Sequence, residues 1–139
     1  MGAEAIGIGS DAVGRAAAYA RERVVFDRPI GQNQGIQHPL AERWMYLESA
    51  WRMALHAARL YDAGLPCGAE ANAAKFLGGR AGHDACWQAM ATHGGFGYAR
   101  EYHVERLYRE VAITRIAPIT EQLILSFIAE KVLGLPKSY

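Results

Sequence analysis

The chain has 139 residues, of which 51% are apolar and 21% charged, the make-up of one globular domain with a hydrophobic core rather than a disordered polymer. Its formal net charge is +1, and no Lys/Arg run concentrates that charge, so it carries no electrostatic footprint for nucleic acid or an anionic membrane. The start, Met1-Gly2-Ala3-Glu4-Ala5-Ile6, lacks the basic region of a signal peptide, and no apolar run reaches the ~20 residues of a spanning helix; the expected address is the cytoplasm.

Met1 leads directly into an Ala/Ile/Gly pattern with no capping residue before it, the expectation for a boundary that falls inside a helix. The first helix is predicted over residues 3–24, with Val13, Ala17, Ala20 and Val24 at helical spacing. Gly7, Gly9 and Gly14 each cost such a helix ~1 kcal/mol relative to Ala, which points to a close approach by another backbone or a ligand. Asp27-Arg28-Pro29-Ile30-Gly31 then breaks it.

The second helix carries a bundle seam at Leu40, Trp44, Leu47, Trp51, Ala54 and Ala58, with Pro39 expected in its first turn. Tyr46, Met53 and Leu60 form another apolar row, so this helix is expected either to sit centrally or to turn one face to another subunit. Asp62-Ala63-Gly64-Leu65-Pro66 ends it. A third helix follows over 68–92, with Ala74, Leu77, Ala81 and Ala85 near one face; Gly78, Gly79 and Gly82 make it dependent on packing. Its Cys86, and Cys67 just before it, are expected as two buried free thiols.

His93-Gly94-Gly95-Phe96-Gly97 stops the third helix, and an aromatic stretch over 98–108 leads to a last helix after Pro118, closed by Gly134 and Pro136. No alternating run bounded by hairpin turns occurs, so no strand is predicted. The expected fold is all-α, an antiparallel four-helix bundle running up-down-up-down.

Several strings that mimic chemistry fail on their context. Gly7-Ile8-Gly9 has no strand before it and its third glycine is misplaced for a dinucleotide loop. His93-Gly94-Gly95 has no Gly-x-Ser-x-Gly nucleophile to serve. No histidine has a Glu three residues earlier, and His83, Cys86 and His93 lack zinc spacing, so no metal is expected.

Three helix-end junctions survive. In the first, Arg23 either complements a helix dipole or clamps a phosphate with its paired donors. In the second, the backbone of His93-Gly94-Gly95-Phe96-Gly97-Tyr98 either stops a helix or lies against a flat ring. The third, over 101–109, alternates charged and apolar groups in the manner of a half-buried ion-pair network.

In this order the junctions resemble the C-terminal bundle of the acyl-CoA dehydrogenase family over nearly the whole chain. The family's Arg-x-x-Phe-Gly-x-x-Ile element is matched by Arg23-Val24-Val25-Phe26-Asp27-Arg28-Pro29-Ile30, and the Gln that follows it by Gln34. Its Gln-x-His-Gly-Gly-x-Gly-Tyr segment is matched by Ala91-Thr92-His93-Gly94-Gly95-Phe96-Gly97-Tyr98, and its Glu-Tyr-Pro-Val-Glu-Arg-Leu-Tyr-Arg-Asp run by residues 101–110, with His103 replacing Pro. The resemblance implies that residues 1–139 form the FAD-contacting and oligomerisation domain of a larger enzyme acting on acyl-CoA thioesters. It implies that Arg23, Phe26 and Gln34 meet the adenine nucleotide part of FAD across a subunit boundary, that Gly94 and Gly95 lie beside the cofactor, and that Thr120 and Gln122 take flavin-contacting positions. Arg23, Phe26, Gly94, Gly95 and Thr120 are expected to converge on one flavin-sized groove at the bundle's edge.

Departures matter as much. The usual catalytic Glu of Tyr-Glu-Gly-Thr is replaced by Pro118 in Ala117-Pro118-Ile119-Thr120, Ala91 replaces a Gln, and Asp27 a Gly. The base is therefore expected upstream of Met1, as in some branches of the family. Two other readings stay open: a flavin-binding relative without dehydrogenase activity, and a helical oligomerisation module.

Overall fold

The computed structural model describes residues 1–138. Five helices account for most of them: α1 (Gly2–Glu22), α2 (Gln34–Asp62), α3 (Gly68–His93), α4 (Val104–Ile116) and α5 (Glu121–Lys131). The all-α expectation holds, with one helix more than the four predicted.

The centre of the bundle belongs to α3, against which α1, α2, α4 and α5 all pack. Small side chains make this possible. Ala5, Gly9, Ala12, Ala16 and Ala20 line the buried side of α1, while Gly78, Gly82, Ala85 and Ala89 line that of α3. A Cβ on Gly9 would stand 2.8 Å from the Cα of Gly82, and one on Gly78 would stand 2.8 Å from the carbonyl oxygen of Gly2. The predicted close backbone approach is therefore real for Gly9, whereas Gly7 and Gly14 face open space.

Larger groups complete the core from α2 and α4. Leu40 of α2 and Val104, Leu107 and Val111 of α4 pack with Ala12, Ala16, Cys86 and Ala89; Leu47 and Ala50 pack with Ile6, Val13 and Ala85. At ~25 cal/mol per Å² of apolar surface, burying such branched side chains contributes roughly 1.5–3 kcal/mol each, and the alanines add close contact at little entropy cost. Cys86 is buried and its thiol is pushed up to about 12 by desolvation, so it is inert packing; Cys67 is only half-buried.

Four expectations need correction. The buried seam of α2 is Leu40, Leu47, Ala50 and Ala57, whereas Trp44 and Trp51, predicted within it, stand 57% and 40% exposed. Thus α2 flanks the bundle rather than sitting at its centre. Pro39 is the sixth residue of the helix, because α2 already begins at Gln34. Residues 104–116, expected as connection, form α4; its β-branched residues and the missing N-cap side-chain bond at His103 weaken the local signal, and the buried row Val104, Leu107, Val111 and Thr114 carries it instead.

The fourth correction is a small hairpin after α1. Val24–Val25 (β1) pairs antiparallel with Arg28–Pro29 (β2), with Val24 opposite Pro29 and Val25 opposite Arg28. Phe26 and Asp27 form its two-residue loop at φ 53° and 61°, the conformation usually given to Asn-Gly or Asp-Gly. Asp27 tolerates it; Phe26 is held there against ordinary preference.

Candidate functional site

The first groove, of about 430 Å³, opens where α1 and α3 end. Arg23 is the C-cap of α1, and its backbone N–H closes the helix on the carbonyl of Tyr19. Gly94 plays the same part for α3 at φ +62°, a turn that suits glycine, and the chain continues through Gly94–Tyr98 as a 3₁₀ turn. A Cβ on Gly97 would collide with the carbonyl of Met90, so the loop folds back hard on α3. By contrast, Cβ atoms on Gly94 and Gly95 would meet nothing within 4 Å, and this edge presents bare backbone to the groove.

Aromatic rings build the wall behind it. Tyr19 stacks on His93 with centroids 4.3 Å apart, and Tyr102 meets both rings edge-on at 5.7 and 5.6 Å. Phe96 lies 5.1 Å from Tyr102, and the Arg23 guanidinium sits 5.7 Å from the Phe96 centroid. The Nδ1–H of buried His93 donates to the Ala89 carbonyl at 2.8 Å. Among the described residues no carboxylate pairs with Arg23. The groove thus joins a free guanidinium, bare backbone and flat apolar rings, a set suited to a phosphate attached to a planar group.

A second groove, of about 420 Å³, lies at the turn between α4 and α5 and is lined by His83, Arg115, Thr120, Glu121 and Gln122 among others. Thr120 is the N-cap of α5, and its Oγ1 accepts a hydrogen bond from Leu123 N–H at 3.4 Å, which leaves its own O–H free to donate. Glu121 is only 12% exposed. Its Oε1 accepts from Arg115 Nε at 2.6 Å, and its Oε2 from Arg115 Nη2 at 3.1 Å and from Arg80 Nη2 at 3.1 Å and Nε at 3.3 Å. These bonds, Arg115 foremost, hold the Glu121 carboxyl below its ordinary value against the opposing effect of burial. Lys75 Nζ donates to the Ile119 carbonyl at 2.6 Å, and burial lowers its pKa. The buried Nδ1 of His83 has no hydrogen-bond partner; Asp84 Oδ1 is 3.5 Å away, outside bonding geometry.

The predicted site residues therefore divide. Arg23, Gly94 and Gly95 share the first groove, while Thr120 and Gln122 line the second. Phe26 stands 93% exposed at the hairpin tip, and Gln34 is exposed at the start of α2. Convergence on one groove of this chain does not occur. The reason is the length of α3: His83 borders one groove and residues 91–93 the other, roughly 12 Å apart along the helix axis at 1.5 Å per residue. Sequence reasoning missed Lys75, Arg80, Arg115 and Glu121, since the Arg80–Glu121 pair spans 41 residues and leaves no local signal.

Comparison with known proteins defines the class. The bundle superposes with TM-score 0.93 on butyryl-CoA dehydrogenase from Megasphaera elsdenii, at 31% identity over 95% of this chain and 34% of that one. It superposes with TM-score 0.92 on PigA in its FAD complex, at 25% identity over 96% of this chain and 35% of that one. The chain thus shares the helical bundle of those proteins. Residues 1–133 match the C-terminal domain of acyl-CoA dehydrogenases, and the chain belongs to the acyl-CoA dehydrogenase family. Acyl-CoA dehydrogenase FadE12 of Mycobacterium tuberculosis is 42% identical over 99% of this chain and 36% of its own length. The chain thus spans about a third of the length of the relatives it matches.

Proposed function

We propose that this chain acts as the cofactor-contacting and subunit-joining domain of an FAD-dependent acyl-CoA dehydrogenase, in the cytoplasm, and that each FAD is held between the first groove of one copy and the second groove of another. The observation that carries the reading is the division itself: two grooves bordered at different heights of α3 on one chain, with Trp44 and Trp51 of α2 left exposed for a second copy. PigA, a structural neighbour, is a protein with an FAD complex, which supports the choice of cofactor.

The residues fit that group. Arg23 would meet a phosphate of the adenine nucleotide part with paired donors, while Phe26 and Gln34, exposed on the same end of the chain, would cover the adenine side. The bare edge at Gly94 and Gly95 admits a flat ring or its chain. Thr120 would donate a hydrogen bond from its hydroxyl and Gln122 one from its amide on the other half-site. When bound, FAD supplies the hydride acceptor for α,β-dehydrogenation of an acyl-CoA thioester.

Proton abstraction at Cα needs a free carboxylate beside the substrate, and among the described residues lining the two grooves the one carboxylate is Glu121. Pro118 has no titratable group, and the Glu121 carboxylate is already taken by Arg115 and Arg80, which hold its pKa below the ordinary value. The reading therefore assigns the catalytic Glu to a segment outside these residues. Pro118 also favours a second reading, a flavin-binding relative without dehydrogenase activity, which turnover of acyl-CoA with a dye acceptor excludes and its absence supports.

Subunit mixing tests the shared site. Arg23→Ala and Thr120→Ala are each expected to weaken FAD retention in the complete flavoprotein about tenfold. Co-assembly of the two variants pairs both defects in one site and none in the other, so random mixing of dimers restores about a quarter of the sites. No restoration, with both single variants defective, would overturn the shared site.

A further inference from the structure

The second groove carries a device that its ligand contacts do not explain. Thr120 and Gln122 flank a residue whose carboxylate is turned away from solvent and taken by two guanidiniums from different helices. Arg115 approaches from α4 with two donors, and Arg80 approaches from α3 with two more. Arg80 is itself braced, its guanidinium 4.3 Å from the Phe76 centroid. One turn of α3 earlier, Lys75 grips the carbonyl of Ile119 at 2.6 Å and reaches that of Arg115 at 3.5 Å. Donors from two helices thus fix the backbone and side chain on both sides of Thr120. An N-cap bond of 3.4 Å is too long to hold that residue by itself.

We propose that Glu121 is a positioning residue: gripped by Arg80 and Arg115 while Lys75 holds the preceding carbonyl, it locks the turn between α4 and α5 so that Thr120 and Gln122 present their donors at fixed places in the groove. The proposal rests on the reading that this groove contacts FAD. Bidentate bonds to a half-buried carboxylate give the geometric definition that a flexible turn lacks, and a contact displaced by an ångström loses most of its value. The carboxylate also neutralises part of the charge of Arg80, Arg115 and Lys75, so that the cations can crowd one turn without forcing it open.

A double-mutant cycle on FAD affinity in the complete flavoprotein tests this. Glu121→Gln is expected to weaken FAD binding about tenfold and the gentler surface change Arg80→Ala about threefold, and neither is expected to add to the loss already present in Thr120→Ala/Gln122→Ala. A purely structural role predicts the opposite: losses that multiply in the Thr120→Ala/Gln122→Ala background and follow the melting temperature. That outcome, or full FAD affinity in both clamp variants, overturns the proposal. If Thr120→Ala/Gln122→Ala weakens binding while the clamp variants do not, the clamp alone falls. If Thr120→Ala/Gln122→Ala binds FAD normally, the cofactor reading of this groove falls with it.

Discussion

Glycine has opposite meanings at different positions of this chain. Gly82 faces the carbonyl of Ala5 so closely that an added methyl would collide with backbone, which cannot rotate away as a side chain can. Gly14 lies within α1 with nothing near its missing Cβ. Gly82→Ala is therefore expected to destabilise the bundle by about 1–3 kcal/mol despite its better helix propensity. Gly14→Ala is expected to stabilise it by about 0.5–1 kcal/mol. Urea unfolding of both variants checks the pair, and a shift of the same sign in each would contradict the packing described. The sequence flags both as poor helix residues, and nothing local tells the one from the other. Phe26 is a similar case: its motif is legible, but its left-handed backbone and nearly full exposure belong to the hairpin.

Among the elements, α5 is the one most dependent on charge. It is short, its only buried side chain is Ile124, and its first residue carries the clamped carboxylate. The folded-state pKa of Glu121 lies below its ordinary 4.5, so the clamp's stabilisation is present above that value and is lost as pH falls through the folded one. Glu121→Gln is expected to cost about 1–3 kcal/mol at neutral pH, where hydrogen bonds to a charged group are broken. The gap between wild type and variant should close in acid, as the wild-type carboxyl also loses its charge. Denaturant titrations at pH 7 and pH 3 measure this, and a gap of constant size would show that the charge contributes nothing. On α4, Arg106 pairs with Glu110 at 2.6 Å and Arg109 with Glu105 at 2.9 Å, two separate surface pairs where the sequence led us to expect a half-buried network. Each is exposed and of little weight for stability.

For the molecule as a whole, the exposed tryptophans of α2 stand out. Trp44 and Trp51, seven residues apart and so on one flank of α2, are 57% and 40% exposed beside the buried row of Leu40, Leu47, Ala50 and Ala57. Two indole rings left exposed on one flank are costly in water, and the proposed reading has this flank meet a second copy. Trp44→Glu combined with Trp51→Glu is expected to turn an associating chain into a monomer in sedimentation while leaving the far-ultraviolet dichroism intact. A wild-type chain that already sediments as a monomer would remove this surface as the subunit contact. Among the described residues no single helix is long and apolar enough to cross a membrane.

The amino-acid sequence determined the helical class, the stops at Gly64 and Gly94, and the order of the motifs that mark the family. All of these depend on side chains within a turn or two of one another, through periodicity, backbone freedom at glycine and the missing N–H of proline. Tertiary structure alone decided which side of α2 is buried, that α4 is a helix in its own right, and that the candidate contacts divide between two grooves. Those outcomes depend on α3 as a common spine and on partners such as Arg80 and Glu121, far apart in sequence. Burial and charge pairing are properties of surfaces brought together in space, and no short window of sequence contains both surfaces.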